Sequence, residues 1–219
     1  MNKKNYRTVR TKVYQFDALS DKAKKKAIEQ CRYFNVDGEW WEFIYDDFKR
    51  ICETVGVDVD LKKTHFRFSS QGDGAAFTAD VDLFKLIDGI NGEAWRQEAP
   101  NLDKENNFTP PHCSVDRRVL DLIKRDWISF TVNLEAKDRP YHTKADIEYD
   151  YTQDSCGSYE NIENQLDLLY LWVKDVVIEL NHLLYRILKR EYEWRTSDEA
   201  VIETIKANEY EFLADGKRF

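Results

Sequence analysis

The sequence predicts an α+β fold: a mainly antiparallel sheet of four to six strands, helices packed on one face, and a long C-terminal helix. Three observations predict it. Apolar and polar residues alternate with period two over 75–83, 128–136 and 141–151, the pattern of half-buried strands. Apolar residues recur at three- and four-residue steps before Gly56 and again after Ser114, the pattern of amphipathic helices. From Ser158 to about Arg195 there is neither Gly nor Pro, and Ile162, Leu166, Leu169, Val173, Val176, Leu180, Leu184 and Ile187 keep to one line. At 219 residues, with 42% hydrophobic and 14% aromatic, the chain has enough apolar mass for a packed core without metal or disulfide. The expectation is one domain over residues 1–219, with an irregular connection at about 88–113.

Taken in order, Val9, Thr11 and Val13 suggest a first strand over 6–14, and Ser20 caps a helix over 21–34. After Asp37-Gly38, residues Trp41, Ile44, Phe48, Ile51, Cys52 and Val55 mark a second helix that Gly56 stops. Phe66 and Phe68 share one face of a strand; the Gln71–Gly74 turn leads to a second strand through Leu83. The stretch 88–113, rich in Gly, Asn and Pro, reads as irregular. Ser114 starts a short helix to about 126. Residues 128–136 and 141–151 then form the clearest hairpin in the chain, and a capping box at Thr196 and Glu199 opens a last short helix before a terminal hairpin around Asp215-Gly216.

Charge is unevenly placed. Lys3, Lys4, Arg7, Arg10, Lys12, Lys22, Lys24, Lys25 and Lys26 face only Asp17 and Asp21 in residues 1–26, so the net −8 divides into +7 there and −15 elsewhere. Lys3, Lys4, Arg7 and Arg10 form a candidate basic patch for phosphate, with a lysine-guarded edge strand as the plainer reading. The start of the chain lacks the apolar run of a signal peptide, and the apolar stretch 168–173 ends at Lys174, so a cytoplasmic protein with no membrane span is expected. The four cysteines show no C-x-x-C pair and read as reduced thiols. His65, His112, His142 and His182 have no metal-ligand spacing, and neither metal nor cofactor is expected.

Two candidate sites follow. The Ser70–Asp73 turn offers polar side chains and glycine-exposed amides, and Ser70, Gln71 and Asp73 with His142 form a candidate polar site for an enzyme acting on a nucleotide or nucleic acid. Hairpin geometry explains the same residues without chemistry. Alternation also places Asp80, Asp82, Glu135, Asp146, Glu148 and Asp150 on the polar sides of three strands; on one sheet they make an acidic face, which reads first as simply solvated, next as a surface for a basic protein, and last as a collector of divalent cations, for which the D-x-D spacing lacks the glycine of a calcium loop.

The string Ser69-Ser-Gln-Gly-Asp-Gly-Ala-Ala-Phe77 resembles a motif of uncharacterised phage and prophage proteins, some labelled antitoxin-like. The stretches TKVYQFDALSDKAKKKAIE, WWEFIYDDFKRICETVGV and SDEAVIETIKANEYEFLADG are similar to the same group. The resemblance implies no catalytic residue. It implies a mobile-element accessory protein, working in the host cytoplasm against a defence component.

The leading expectation is therefore a non-catalytic protein that binds a host protein. The alternatives are the enzyme built on the Ser70–Asp73 turn and a nucleic-acid binder using the basic N-terminus. An unbroken helix over 158–195 would run about 55 Å against a domain diameter of about 45 Å. Its apolar residues also exceed one stripe, so a kink or a two-fold homodimer through this helix is expected.

Overall fold

The computed structural model describes residues 9–68, 73–138, 141–151 and 159–219, with side chains in the last segment from residue 161. The fold is α+β. In chain order the elements are β1 (Tyr14–Gln15), α1 (Asp21–Cys31), α2 (Glu42–Thr54), β2 (Val57–Arg67), β3 (Gly74–Val81), α3 (Leu83–Asn91) and α4 (Leu102–Asn106). They continue with α5 (Arg117–Lys124), β4 (Ile128–Asp138), β5 (Tyr141–Tyr151), α6 (Tyr159–Arg195), α7 (Asp198–Ala207) and β6 (Glu211–Phe212). The chain divides into two compact units, one of residues 1–40 with 190–219, the other of residues 41–189.

In the first unit, Ser20 Oγ accepts from the amide of Ala23 and starts α1. The helix buries Ala23, Ala27, Ile28 and Cys31 against Phe16, Leu19, Val201, Ile205 and Phe212. The first strand is shorter than the sequence suggests. Among the described residues only Tyr14 and Gln15 pair, antiparallel with Phe212 and Glu211, and Val9 is 68% exposed; residues 6–8 of the expected strand lie outside the described residues. The cap of α7 is Ser197, which accepts from the amide of Ala200; Thr196 instead donates its hydroxyl back to the Tyr192 carbonyl at 2.8 Å. The capping-box assignment was thus one residue early.

The second unit holds a four-stranded antiparallel sheet in the order β2-β3-β4-β5. Its inner face carries Val57, Val59, Phe77, Ala79, Ile128 and Leu134, all buried. Helix α2 lays Ile44, Tyr45, Phe48, Ile51 and Cys52 inward, with the Phe48 ring edge-on to Phe77 at 5.3 Å. Each such side chain contributes about 1.5–3 kcal/mol on burial, so this one stripe outweighs any single polar contact on the surface. Helix α6 packs on the same sheet: Thr143 bonds Asn181, Tyr149 bonds Asp167, and Tyr151 bonds Glu163. It runs as one helix of 37 residues, and residues 190–195 belong to the first unit. Trp172, Val177 and Leu183 are buried although they lie off the main apolar line, whereas Leu168, Leu171 and Ile178 remain about half exposed.

Three stretches depart from the expectation. Strand β2 begins at Val57, directly after Gly56, and slips register between Asp60 and His65. Gly56 sits at φ +74°, and a Cβ there would lie 2.4 Å from Lys85 Cβ, so both the turn and the close approach demand glycine. Leu83 ends no strand; it opens α3, because Asp82 accepts from the amide of Lys85 and turns the chain into a helix. The stretch 88–113 holds the rest of α3 and all of α4, tied by Arg96 to Glu93 and Asp103 and by an edge-on contact of Trp95 with Phe108. Similarly, α5 starts after Asp116, which accepts from the amide of Arg118, and not at Ser114.

Candidate functional site: the outer face of the sheet

Because side chains alternate across a strand, the residues beside the inner row Val59, Ala79, Leu134 and Ala145 point to the outer face. Strand register makes that row Asp58, Asp80, Asn133 and Asp146, each directly opposite the next across all four strands. Below it Glu148 pairs with Thr131 and Asp150 with Ser129, while above it Glu135 faces Lys144. Five of the six carboxylates expected on this face, Asp80, Glu135, Asp146, Glu148 and Asp150, do share it.

The sixth, Asp82, does not lie on a strand. It is the N-cap of α3, and the donated amide of Lys85 holds its carboxyl below the usual range. It still lines a cavity of about 470 Å³ beside the sheet, together with Glu53, Asp58, Asp80, Lys85 and the Gly56–Val57 turn. Asp58 and Glu53 are the members that sequence reasoning missed. The signal for Asp58 was present in Val57-Asp-Val-Asp60, a period-two run that immediately follows the Gly56 stop.

The charges on the face are only partly compensated. Lys49 reaches Asp58 at 2.6 Å, and that carboxylate raises the lysine pKa. Lys144 meets Asp146 at 2.5 Å and is raised likewise, and Glu135 pairs with Lys137. Among the described residues Asp80, Glu148 and Asp150 have no ion-pair partner.

The opposite end of the outer face is covered. His65 Nε2 lies 2.8 Å from Asp138, its ring stands edge-on to Tyr141 at 5.5 Å, and Ala76 beneath is fully buried. A Cβ on Gly74 would sit 2.3 Å from the Tyr141 carbonyl oxygen, so this glycine serves the close approach of β5 as well as the turn. The hairpin end thus closes one half of the face and leaves the acidic half open.

The polar turn is only partly described: Ser70 and Gln71 lie outside the described residues. Asp73 accepts from Tyr185 Oη at 3.1 Å; burial and this bond together raise the Tyr185 pKa. His142 is exposed and lines a different feature, a groove of about 370 Å³ between β5 and α6 that Asp73 does not line. Of the basic patch, Arg10 is exposed, and Lys3, Lys4 and Arg7 lie outside the described residues. Among the described residues no three His, Cys, Asp or Glu side chains are grouped to hold a metal ion. No described helix is long and apolar enough to cross a membrane.

Fold and face together define an α+β protein whose antiparallel sheet is helix-covered on one side and acidic on the other. The chain belongs to the family described as Domain of unknown function (DUF8835), whose model matches residues 40–198, from just before α2 to the first residue of α7. No match was found among curated proteins or among solved structures.

Proposed function

We propose that this protein acts without catalysis, by docking the open acidic half of its sheet onto a basic surface of another macromolecule. The observation that carries the reading is the row Asp58, Asp80, Asn133 and Asp146, with Glu148 and Asp150 beside it. Like charges directly opposite one another destabilise a sheet. A face that keeps them, with three carboxylates lacking an ion-pair partner among the described residues, is better explained by a partner's cations than by solubility alone. The adjoining cavity admits a basic side chain between Asp58, Asp80 and Asp82. The resemblance to phage and prophage proteins supports a host-defence protein as the partner and the host cytoplasm as the place. A two-fold dimer through α6 belongs to the same reading, supported by the exposed Leu168, Leu171 and Ile178.

The test is capture from bacterial lysate on the immobilised protein, beside a variant carrying Asp146→Lys, Glu148→Lys and Asp150→Lys. A basic protein retained by the wild type at low salt, released at high salt and absent from the variant is the expected result. Equal retention by both proteins would refute the acidic-face reading.

A further inference from the structure

Strand β5 ends the sheet, and α6 runs beside it, tied at two levels. Asn181 accepts from the Thr143 amide at 3.1 Å and from its hydroxyl at 2.9 Å, and Asp167 accepts from the Tyr149 hydroxyl at 2.8 Å. Thr143 to Tyr149 along the strand and Asn181 to Asp167 along the helix each span about 20 Å, at ~3.3 Å per strand residue and ~1.5 Å per helical residue. Strand and helix therefore lie alongside over that length, and no further strand fits between them. Between the two ties they part, and the gap is the groove of about 370 Å³ lined by Ala145, Tyr170, Lys174, Val177 and Ile178 among others. That volume lies at the lower end of small-molecule sites.

Three features of the gap define its occupant. The first is a backbone donor. Thr143 sends its amide outward to Asn181, and its pairing partner Ala136 sends its own amide the other way, to Thr78 of β3. Ala145 follows two residues later in the same alternation, so its amide also points away from β4, into the groove it lines. Ala145 is partly buried, and among the described residues its amide has no acceptor, which is costly unless something fills the gap. The second feature is a cation. Lys174 Nζ sits 4.5 Å over the Tyr170 ring and has no carboxylate partner among the described residues. Lys144 and Asp146 at the rim satisfy each other at 2.5 Å, so with His142 neutral the groove keeps one positive charge. The third feature is apolar wall. Val177 is buried, and Ile178 is 49% exposed although it is large and aliphatic.

We propose that this groove binds a small monocarboxylate with an apolar body. The Ala145 amide and the Lys174 ammonium donate to the carboxylate, in the charge-assisted bonds that such a group accepts best. The body lies against Tyr170, Val177 and Ile178 and takes the exposed part of Ile178 out of water. A neutral ligand leaves Lys174 without a counter-charge, an amine is repelled by it, and a phosphate dianion finds only one cation to neutralise it. The groove lies between β5 and α6, apart from the open acidic half of the outer face, so its failure leaves the docking reading untouched.

The experiment titrates the purified full chain with three probes of one shape, hexanoate, hexanamide and hexylammonium. Amide NMR reads the Ala145 signal, and circular dichroism confirms folding. Hexanoate should shift that signal saturably, and the other two probes should bind about tenfold more weakly or worse. Lys174→Met, which keeps the length and loses the charge, should weaken hexanoate about tenfold and leave hexanamide unchanged. Ile178→Trp, at an exposed position, should fill the groove and abolish hexanoate binding. An Ala145 amide that ignores hexanoate overturns the site. Equal affinity for the three probes, or hexanoate binding that ignores both substitutions, overturns the chemistry assigned to it.

Discussion

Replacing Asp80 by Asn should make the protein more stable and worse at binding. Asp80 lies opposite Asp58 on β2 and opposite Asn133 on β4, with no ion-pair partner among the described residues. Directly opposed side chains in an antiparallel pair have Cβ atoms about 5 Å apart, which puts the two carboxylates about 6 Å apart. At that separation and near-aqueous dielectric, two unit charges repel by about 0.7 kcal/mol. Lys49, 2.6 Å from Asp58, cancels part of this, leaving an expected gain of about 0.5 kcal/mol on neutralising Asp80. Urea unfolding at low salt should show the midpoint rising with an unchanged m-value. The gain should fade in molar salt, where the Debye length shrinks to about 3 Å. A loss of stability, or a gain that ignores salt, would refute the reasoning, because either would mean that Asp80 makes a structural contact.

Asp82→Ala should cost about 1 kcal/mol through loss of the α3 cap. Because the folded state holds this carboxyl below its usual pKa, its contribution is present above the unfolded value near 4 and disappears as pH falls through the folded one. The variant and wild type should therefore converge in stability at acid pH in thermal melts. Thr143→Val should cost about 1–3 kcal/mol, since it strands the buried amide of Phe77 and leaves Asn181 without its hydroxyl donor; urea unfolding measures it. Asp73→Ala and His142→Ala, by contrast, should fold and keep most of the biological effect, measured in a host-defence challenge, because hairpin geometry and the Tyr185 bond already account for Asp73 and the β5 groove holds His142. Loss of the effect with unaltered melting would favour the enzyme built on that turn.

Much of this architecture could be read from the residues, and the failures have physical causes. The β4–β5 hairpin and α6 were legible because alternation and helical spacing persist there for eleven or more residues. The N-terminal half of β2 was not, because its register slip at Asp60–His65 breaks the period between Val57-Asp-Val-Asp and Phe66. Helix α3 was misread because Asp82 serves two patterns, the alternating strand before it and the cap after it. Five members of the acidic face came from alternation alone, but Asp58 and the cavity needed the register of β2 against β3. The two glycines at positions 56 and 74 looked like turn residues; their second role, admitting Lys85 and Tyr141, depends on neighbours distant in sequence.

The central claim, electrostatic docking through the open half of the sheet, is tested most directly by association kinetics with the captured partner. The rate constant for the wild type should fall steeply as salt rises, since complementary charge steers encounter. The variant with Asp146, Glu148 and Asp150 changed to Lys should associate slowly at every salt concentration, with its fold unchanged. Equal association rates for the two proteins at low salt, or a wild-type rate that does not respond to salt, would contradict the account.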